Sequence, residues 1–318
     1  MIIRKDVFIL KNYMLLFILL AVLFCTMPLA VSLIPQDSNQ GTDTSESSTH
    51  SMGEKYISVK KDGIICRMTL EEWTLYALCH ELPDDAPPEL AKTLAVALRT
   101  YAAYHIGYGD KKADHPDCEL CSDANHCKSL DSENIAVAAR TAVNATCGEL
   151  IYYDRQPINP IMHTSSAALT ESAYEVLGVD VPYLQSVDTP DESGLDGFSA
   201  AAEFRMERLT ELLGAQGFSV SGDCNTWITY ISYTPSGRVR SVSLCGQDIG
   251  GQELARMLGL QSLNFTVKAT AGKLIFEVQG IGSGVGMSKY GAYLMALRGE
   301  GYEKILTHYY SNTYIGAE

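Results

Sequence analysis

The sequence predicts an α+β fold, on three observations. A hairpin pattern opens at Tyr56, strong helical patterns follow it, and later strand pairs at Trp227–Cys245 and Asn264–Gln279 are separated by helical runs. No repeat period is visible. With 318 residues, 46% of them hydrophobic and 19% charged, the chain can bury a sizeable core.

Residues 1–13 carry Arg4, Lys5 and Lys11 against Asp6, whereas Met14 to Pro35 has no charged side chain. The uncharged run predicts a transmembrane anchor over 14–34, and its basic flank predicts a cytoplasmic N-terminus with the remainder outside. A signal peptide cleaved near Ala30-Val31-Ser32 is the other reading, and in both the folded part is exported. Cys25 follows Phe24, a poor fit to the small residue that a lipidation site needs. Residues 35–55 are rich in Ser, Thr, Asn, Gly and Asp, too polar to offset the entropy of ordering, and read as a flexible linker. The folded domain is then 56–318.

Within it, Tyr56–Gly63 and Ile64–Met68 read as paired strands. Thr69 with Glu72 is a capping-box signature, and Trp73, Tyr76, Ala77 and His80 share a helical face, which puts Glu81 near a helix end before the Pro83–Pro88 break. Leu90, Leu94, Ala97, Leu98 and Tyr101 recur at helical steps, predicting a helix over 89–105 closed by Gly107. A polar loop over 108–128 leads to a helix over 132–144 and a strand near 150–153. Asn159–Ser166 reads as extended and Val187–Phe198 as loop. Helices are predicted over 201–214, 252–260 and 291–298. Thr234–Gly237 reads as the turn between strands at 227–233 and 239–245.

A net charge of −14 argues against nucleic acid as a partner, because like charges repel; an uncharged polymer suits it better. Nine cysteines are many for a cytosolic chain and ordinary for an exported one. His115, Cys118, Cys121, His126 and Cys127 fall close together, and thiolates with imidazoles are the preferred ligands of zinc. His115, Cys121, His126 and Cys127 would close a tetrahedral structural site, with Cys118 spare; disulfides with surface histidines are the alternative. Cys224 and Cys245 near the ends of the later hairpin could form a disulfide. A zinc hydrolase would need an open coordination position, which a full four-ligand site does not leave.

Glu81, in His80-Glu81-Leu82-Pro83, is a carboxyl group between apolar neighbours at a helix end, where desolvation can raise the pKa of a proton donor. By default, any carboxylate here is a solvated surface charge. Gly280–Ala292 holds alternating glycines that let backbone approach a ligand closely, yet it lacks the ending of a phosphate loop; a tight structural turn is the competing reading.

Several of these segments, in order, resemble the SpoIID/LytB family of cell-wall proteins: Met68–Trp73 leading to Glu81–Pro83, Ala91–Ala102, Cys121–Cys127, Thr164–Glu171, Pro182–Leu184, Thr234–Val239 and Gly280–Ala292. The resemblance implies a two-lobed α+β domain, its core built from the early segment and the glycine segment, with an appended lobe around 196–263 and a substrate cleft. It implies a sporulation protein with lytic transglycosylase activity on peptide-stripped peptidoglycan, acting during engulfment with a cell-wall amidase and a membrane protein of that machinery. Glu81 would be its general acid and base, Arg99 an orienting or charge-stabilising residue, and His115, Cys121, His126 and Cys127 the zinc ligands. Tyr183, Ser165, Ser166, Ser283 and Lys289 would contact substrate, with core packing as the alternative for Tyr183. The chain departs from the family pattern at Ser283 (usually His), Lys289 (usually Gln), Ala167 and Ala168 (often Gly) and Gln185 (frequently Lys). A non-catalytic wall-binding protein that stimulates an amidase is the alternative function.

Overall fold

The computed structural model describes residues 56–108, 116–124, 126–131, 133–220, 222–270 and 272–317. The expected anchor over 14–34, its linker and His115 lie outside these residues. Among the described residues no helix is long and apolar enough to cross a membrane.

Strands β1 (Tyr56–Lys61) and β2 (Ile64–Thr69) form an antiparallel hairpin, turning through Asp62 and Gly63 in left-handed conformation. Thr69 then caps α1 (Leu70–Glu81): its hydroxyl accepts from Glu72 N at 3.1 Å, and the Glu72 carboxylate accepts from Thr69 N at 2.7 Å. Pro88 starts α2 (Pro88–Gly107), whose fixed φ suits a first helical position. Leu90, Leu94, Ala95, Val96, Ala97 and Leu98 are all buried, so α2 is apolar nearly all round and runs through the centre of the core. Strand β3 (Leu120–Cys121) pairs parallel with β1. The next helix, α3 (Val137–Ala145), is shorter than its sequence pattern.

Strands β4 (Glu149–Tyr153) and β5 (Gln156–Pro157) and the short β6 (Met162–His163) follow. Then come α4 (Ala173–Leu177), β7 (Ser199–Arg205) and α5 (Met206–Gly214). The expected helix over 201–214 is thus half strand. Ala200, Ala201 and Ala202 favour helix locally, but a complete antiparallel register from Ser199↔Gln279 to Arg205↔Lys273 overrides that preference. Strands β8 (Ile228–Tyr233), β9 (Val239–Leu244) and β10 (Gln247–Gly250) form one antiparallel sheet, and α6 (Gly251–Leu258) packs on β9. Strands β11 (Asn264–Thr270) and β12 (Lys273–Gln279) join β7 in another. The chain ends with β13 (Met287–Ser288), parallel to β6, then α7 (Lys289–Leu297), α8 (Tyr302–Tyr309) and β14 (Tyr314–Ala317) beside β4.

Two hydrophobic cores result. One joins Val59, Trp73, Leu94 and Leu98 to Met287, Ala292, Ile305 and Leu306, so the first and last segments share it. The other gathers Leu213, Trp227, Val242, Phe265, Phe276 and Val278. Buried polar contacts tie the β8–β9 turn to the segment after β6. Arg238 donates to Leu169 O at 2.9 Å and Ser166 Oγ at 3.0 Å, while Glu171 accepts from Thr234 and Ser236, each at 2.6 Å.

The glycine segment packs on protein. A Cβ on Gly286, at φ +72°, would stand 2.0 Å from Ile161 O, and one on Gly284 would meet the Arg238 guanidinium at 2.5 Å. Its close approach is therefore to the chain's own backbone and a buried arginine, which is the structural-turn reading.

Candidate active site

Glu81 is the last residue of α1, where Leu82 N closes the helix on Leu78 O at 2.9 Å and Pro83 prevents continuation. A carboxylate at that end is disfavoured by the helix dipole. Two ammonium groups offset this: Lys289 Nζ donates to Glu81 Oε2 at 2.6 Å, and Lys128 Nζ lies 3.6 Å from Oε1. Burial is the largest influence on Glu81 and pushes its pKa up. The charges of Lys289 and Lys128, the Lys289 hydrogen bond and His80 together outweigh burial and hold it below the usual carboxylate value. The desolvated proton donor expected from the sequence is, in this state, an ionised ion-pair partner.

Lys289 is placed by its cap. Ser288 is buried, donates to Glu192 Oε2 at 2.8 Å and accepts from Gly291 N at 3.1 Å, which fixes the start of α7. From that start, Lys289, Tyr290 and Tyr293 reach a cavity of about 460 Å³ that Glu81, Asp85, Leu90, Leu94, Thr164 and Leu195 also line. The rings of Tyr290 and Tyr293 stack at 5.7 Å and 13°, and the Tyr293 hydroxyl donates to Asp85 Oδ2 at 2.9 Å. An acid, a cation and parallel aromatic faces thus share one cavity, a combination suited to a polar ligand with flat apolar faces.

Of the residues anticipated around Glu81, only Lys289 is there. Arg99 is fully buried elsewhere: Nε and Nη2 form a fork with Glu71 at 2.8 and 2.7 Å, and the remaining N–H groups reach Thr146 Oγ1, Glu149 O and Val143 O. Its donors are used up holding α1, α3 and β4 to α2, so its expected role beside Glu81 is corrected to a structural one. Tyr183 packs on Tyr153 with rings 5.7 Å apart and accepts from Asn159 N at 3.1 Å, the core-packing reading. Ser165 and Ser166 are buried; Ser166 Oγ contacts His163 Nε2 at 2.6 Å, while the neighbouring Thr164 lines the cavity in their place. Ser283 is exposed in a separate cavity beside Gln252 and Leu260. None of Ser165, Ser166 and Ser283 lines the Glu81 cavity.

Asp85, Thr164, Tyr290, Tyr293 and Lys128 were not anticipated. The three-residue spacing of Tyr290 and Tyr293 on a helix was the available signal.

The metal-ligand cluster is present in part. One ligand atom each from Cys121, His126 and Cys127 lies within 4.8 Å of the others, and Cys121 Sγ is 3.4 Å from His126 Nδ1. Two thiols and an imidazole at this separation fit a zinc ion. Cys118 is buried and outside that cluster. Cys224 and Cys245 are not joined in a disulfide. Lys128 follows Cys127 directly and lies 5.5 Å over the Tyr101 ring, so whatever holds Cys127 also holds the lysine beside Glu81.

Comparison with known proteins gives a consistent picture. Residues 59–153 match the SpoIID family model, described as stage II sporulation protein. The chain is 28% identical over 252 residues to the stage II sporulation protein D of Bacillus amyloliquefaciens, covering 76% of this chain and 72% of that one. It is 27% identical over 260 residues to the protein of the same name from Bacillus subtilis, covering 77% and 74%. To the Bacillus subtilis protein named amidase enhancer it is 24% identical over 284 residues, 74% of this chain and 39% of that protein. The chain is thus similar to members of the SpoIID sporulation family, most specifically over residues 59–153.

Proposed function

We propose that this relative of the SpoIID family is a lytic transglycosylase that cuts the glycan strands of peptide-stripped peptidoglycan during spore engulfment. The observation that carries the reading is the Glu81 carboxyl group in a cavity walled by the stacked Tyr290 and Tyr293 rings. Sugar rings present flat C–H faces to such aromatics and hydroxyls to the polar groups around them.

The chemistry needs one carboxyl group. Protonated Glu81 gives its proton to the glycosidic oxygen as the C1–O bond breaks, and the leaving strand departs as an alcohol. The resulting carboxylate takes the proton of the sugar's own C6 hydroxyl, whose oxygen bonds to C1 and closes a 1,6-anhydro ring. Glu81 ends protonated, as it began, and no water is consumed. A second carboxylate nucleophile, needed in ordinary retaining glycosidases, has no place in this scheme.

Zinc is assigned to Cys121, His126 and Cys127, with His115 as the fourth ligand. Fully ligated by protein, it would serve structure, fixing the loop that presents Lys128. The segment over 14–34 is assigned as a membrane anchor with the enzyme outside, where an amidase would supply stripped strands and a membrane protein of the engulfment machinery would be a neighbour.

The second reading is a non-catalytic wall-binding protein that stimulates an amidase. The ion pairing of Glu81, which keeps it from donating a proton in the resting state, favours this alternative. Incubating stripped strands with the full-length chain and searching for anhydro-muramic ends by mass spectrometry separates the two. Such ends from wild type and their loss with Glu81→Gln support the lyase; binding without cleavage supports the alternative.

A further inference from the structure

Around Glu81 the charges do not balance. Two ammonium groups, of Lys289 and Lys128, address one carboxylate in a chain whose net charge is −14. Lys289 is the one of the two that lines the cavity. It also occupies the first position of α7, a helix with no acidic residue in its first turn, where the dipole disfavours a cation. Helix stability therefore does not account for Lys289. Its contact with Glu81 does, and that contact keeps the acid idle. A ligand group able to compete for Lys289 must be another anion, since neutral hydroxyls exchange poorly for a charge-assisted contact at 2.6 Å.

We propose that Lys289 is the subsite for a carboxylate carried by the glycan strand, and that a strand bearing this group draws the ammonium away from Glu81 and so frees the acid to act. The inference rests on the lyase reading above and adds to it a recognition element and a trigger. Muramic acid carries a lactyl side chain whose carboxyl is a free anion when no peptide is attached and a neutral amide when one is. Selection for stripped strands would then be exercised by one lysine. Lysine suits the task, as a point charge on a flexible four-carbon stem that can turn from one carboxylate to another.

The surrounding charges agree with this direction. The groups bearing on Glu81 are Lys289 from α7, Lys128 from the Cys127 loop and His80 from its own helix, with Asp85 on the same cavity wall, accepting from Tyr293. Once Lys289 turns to the sugar, only Lys128 and His80 oppose the effect of burial, and the Glu81 pKa rises toward a proton donor's.

The test uses strands from one wall preparation, with carboxylates left free or converted to primary amides, and the full-length chain. Wild type is expected to form anhydro ends about tenfold faster from the carboxylate strands, while Lys289→Gln cuts both at the same rate. Equal rates with wild type, or a preference retained by Lys289→Gln, overturns the proposal. Binding to a Glu81→Gln chain gives a readout independent of cleavage: carboxylate strands are expected to bind about tenfold more tightly than amidated ones, and equal binding overturns the subsite. Should wild type cut neither strand while Glu81→Gln still discriminates between them, the lyase reading fails and the carboxylate subsite stands.

Discussion

Lys289 donates a 2.6 Å hydrogen bond to Glu81 across 208 residues of chain, and this contact ties the end of α1 to the start of α7. It makes the cavity a junction of the first and last segments of the fold. With Lys128 and His80, it also holds down the pKa of the one acid on which the proposed reaction turns.

The aromatic wall should matter for binding more than for chemistry. Tyr290→Ala and Tyr293→Ala are each expected to raise KM for stripped strands about three- to tenfold, with a smaller change in kcat. Steady-state kinetics of anhydro-end formation decides this; a fall in kcat alone would place these tyrosines in the reaction instead.

Arg99 should behave as a structural residue. Arg99→Ala takes from Glu71 its charged partner and from Val143 O and Glu149 O a donor, and is expected to lower unfolding free energy by about 3 kcal/mol, less than for a wholly buried pair because Glu71 is 32% exposed. Arg99→Lys should recover little, since an ammonium cannot reproduce the five-donor fork. Urea unfolding measures both. A stable Arg99→Ala chain with lost cleavage would return Arg99 to the active site.

Sequence pattern alone makes the scaffold around these residues legible. The capping box at Thr69 and Glu72, the apolar surface of α2 and the β11–β12 pair each arise from neighbouring residues, and all three are found. What pattern cannot supply is the target of a side chain. Arg99 and Glu81 lie in sequence motifs that resemble one family, yet the face of α2 that carries Arg99 turns to Glu71 and α3. Lys289 stands out as a departure from that family, but its partner is set by tertiary packing. The strand at Ser199–Arg205 is hidden for the same reason, since its alanines become a strand through β12.

The cysteine loop should hold a stoichiometric zinc ion. Metal analysis of the full-length chain is expected to find it, and to find it lost from Cys127→Ser. A chelator should lower the melting temperature of wild type and leave that of Cys127→Ser unchanged. Metal-free wild-type protein of undiminished stability would refute the assignment.

His163 gives the fold a pH dependence. Burial, as the main cause, drops its pKa from 6.5 to about 4, so the folded state keeps it neutral while the unfolded chain takes up a proton. The unfolded state therefore binds more protons in this window. Stability is lost as pH falls from about 6.5 to about 4, by about 3 kcal/mol from this group, and the loss levels off below. Urea unfolding at several pH values should show the slope, and His163→Gln should flatten it; an unchanged slope in the variant would mean that other groups set it.

The central claim is that Glu81 performs the proton transfers of glycan cleavage. Its most direct test is the rate of anhydro-muramic end formation from stripped strands by the full-length wild-type chain and by Glu81→Gln, with folding of the variant checked by its melting temperature. A fall of about 100- to 10,000-fold is expected in a folded variant. Ends formed at the wild-type rate by Glu81→Gln would contradict it.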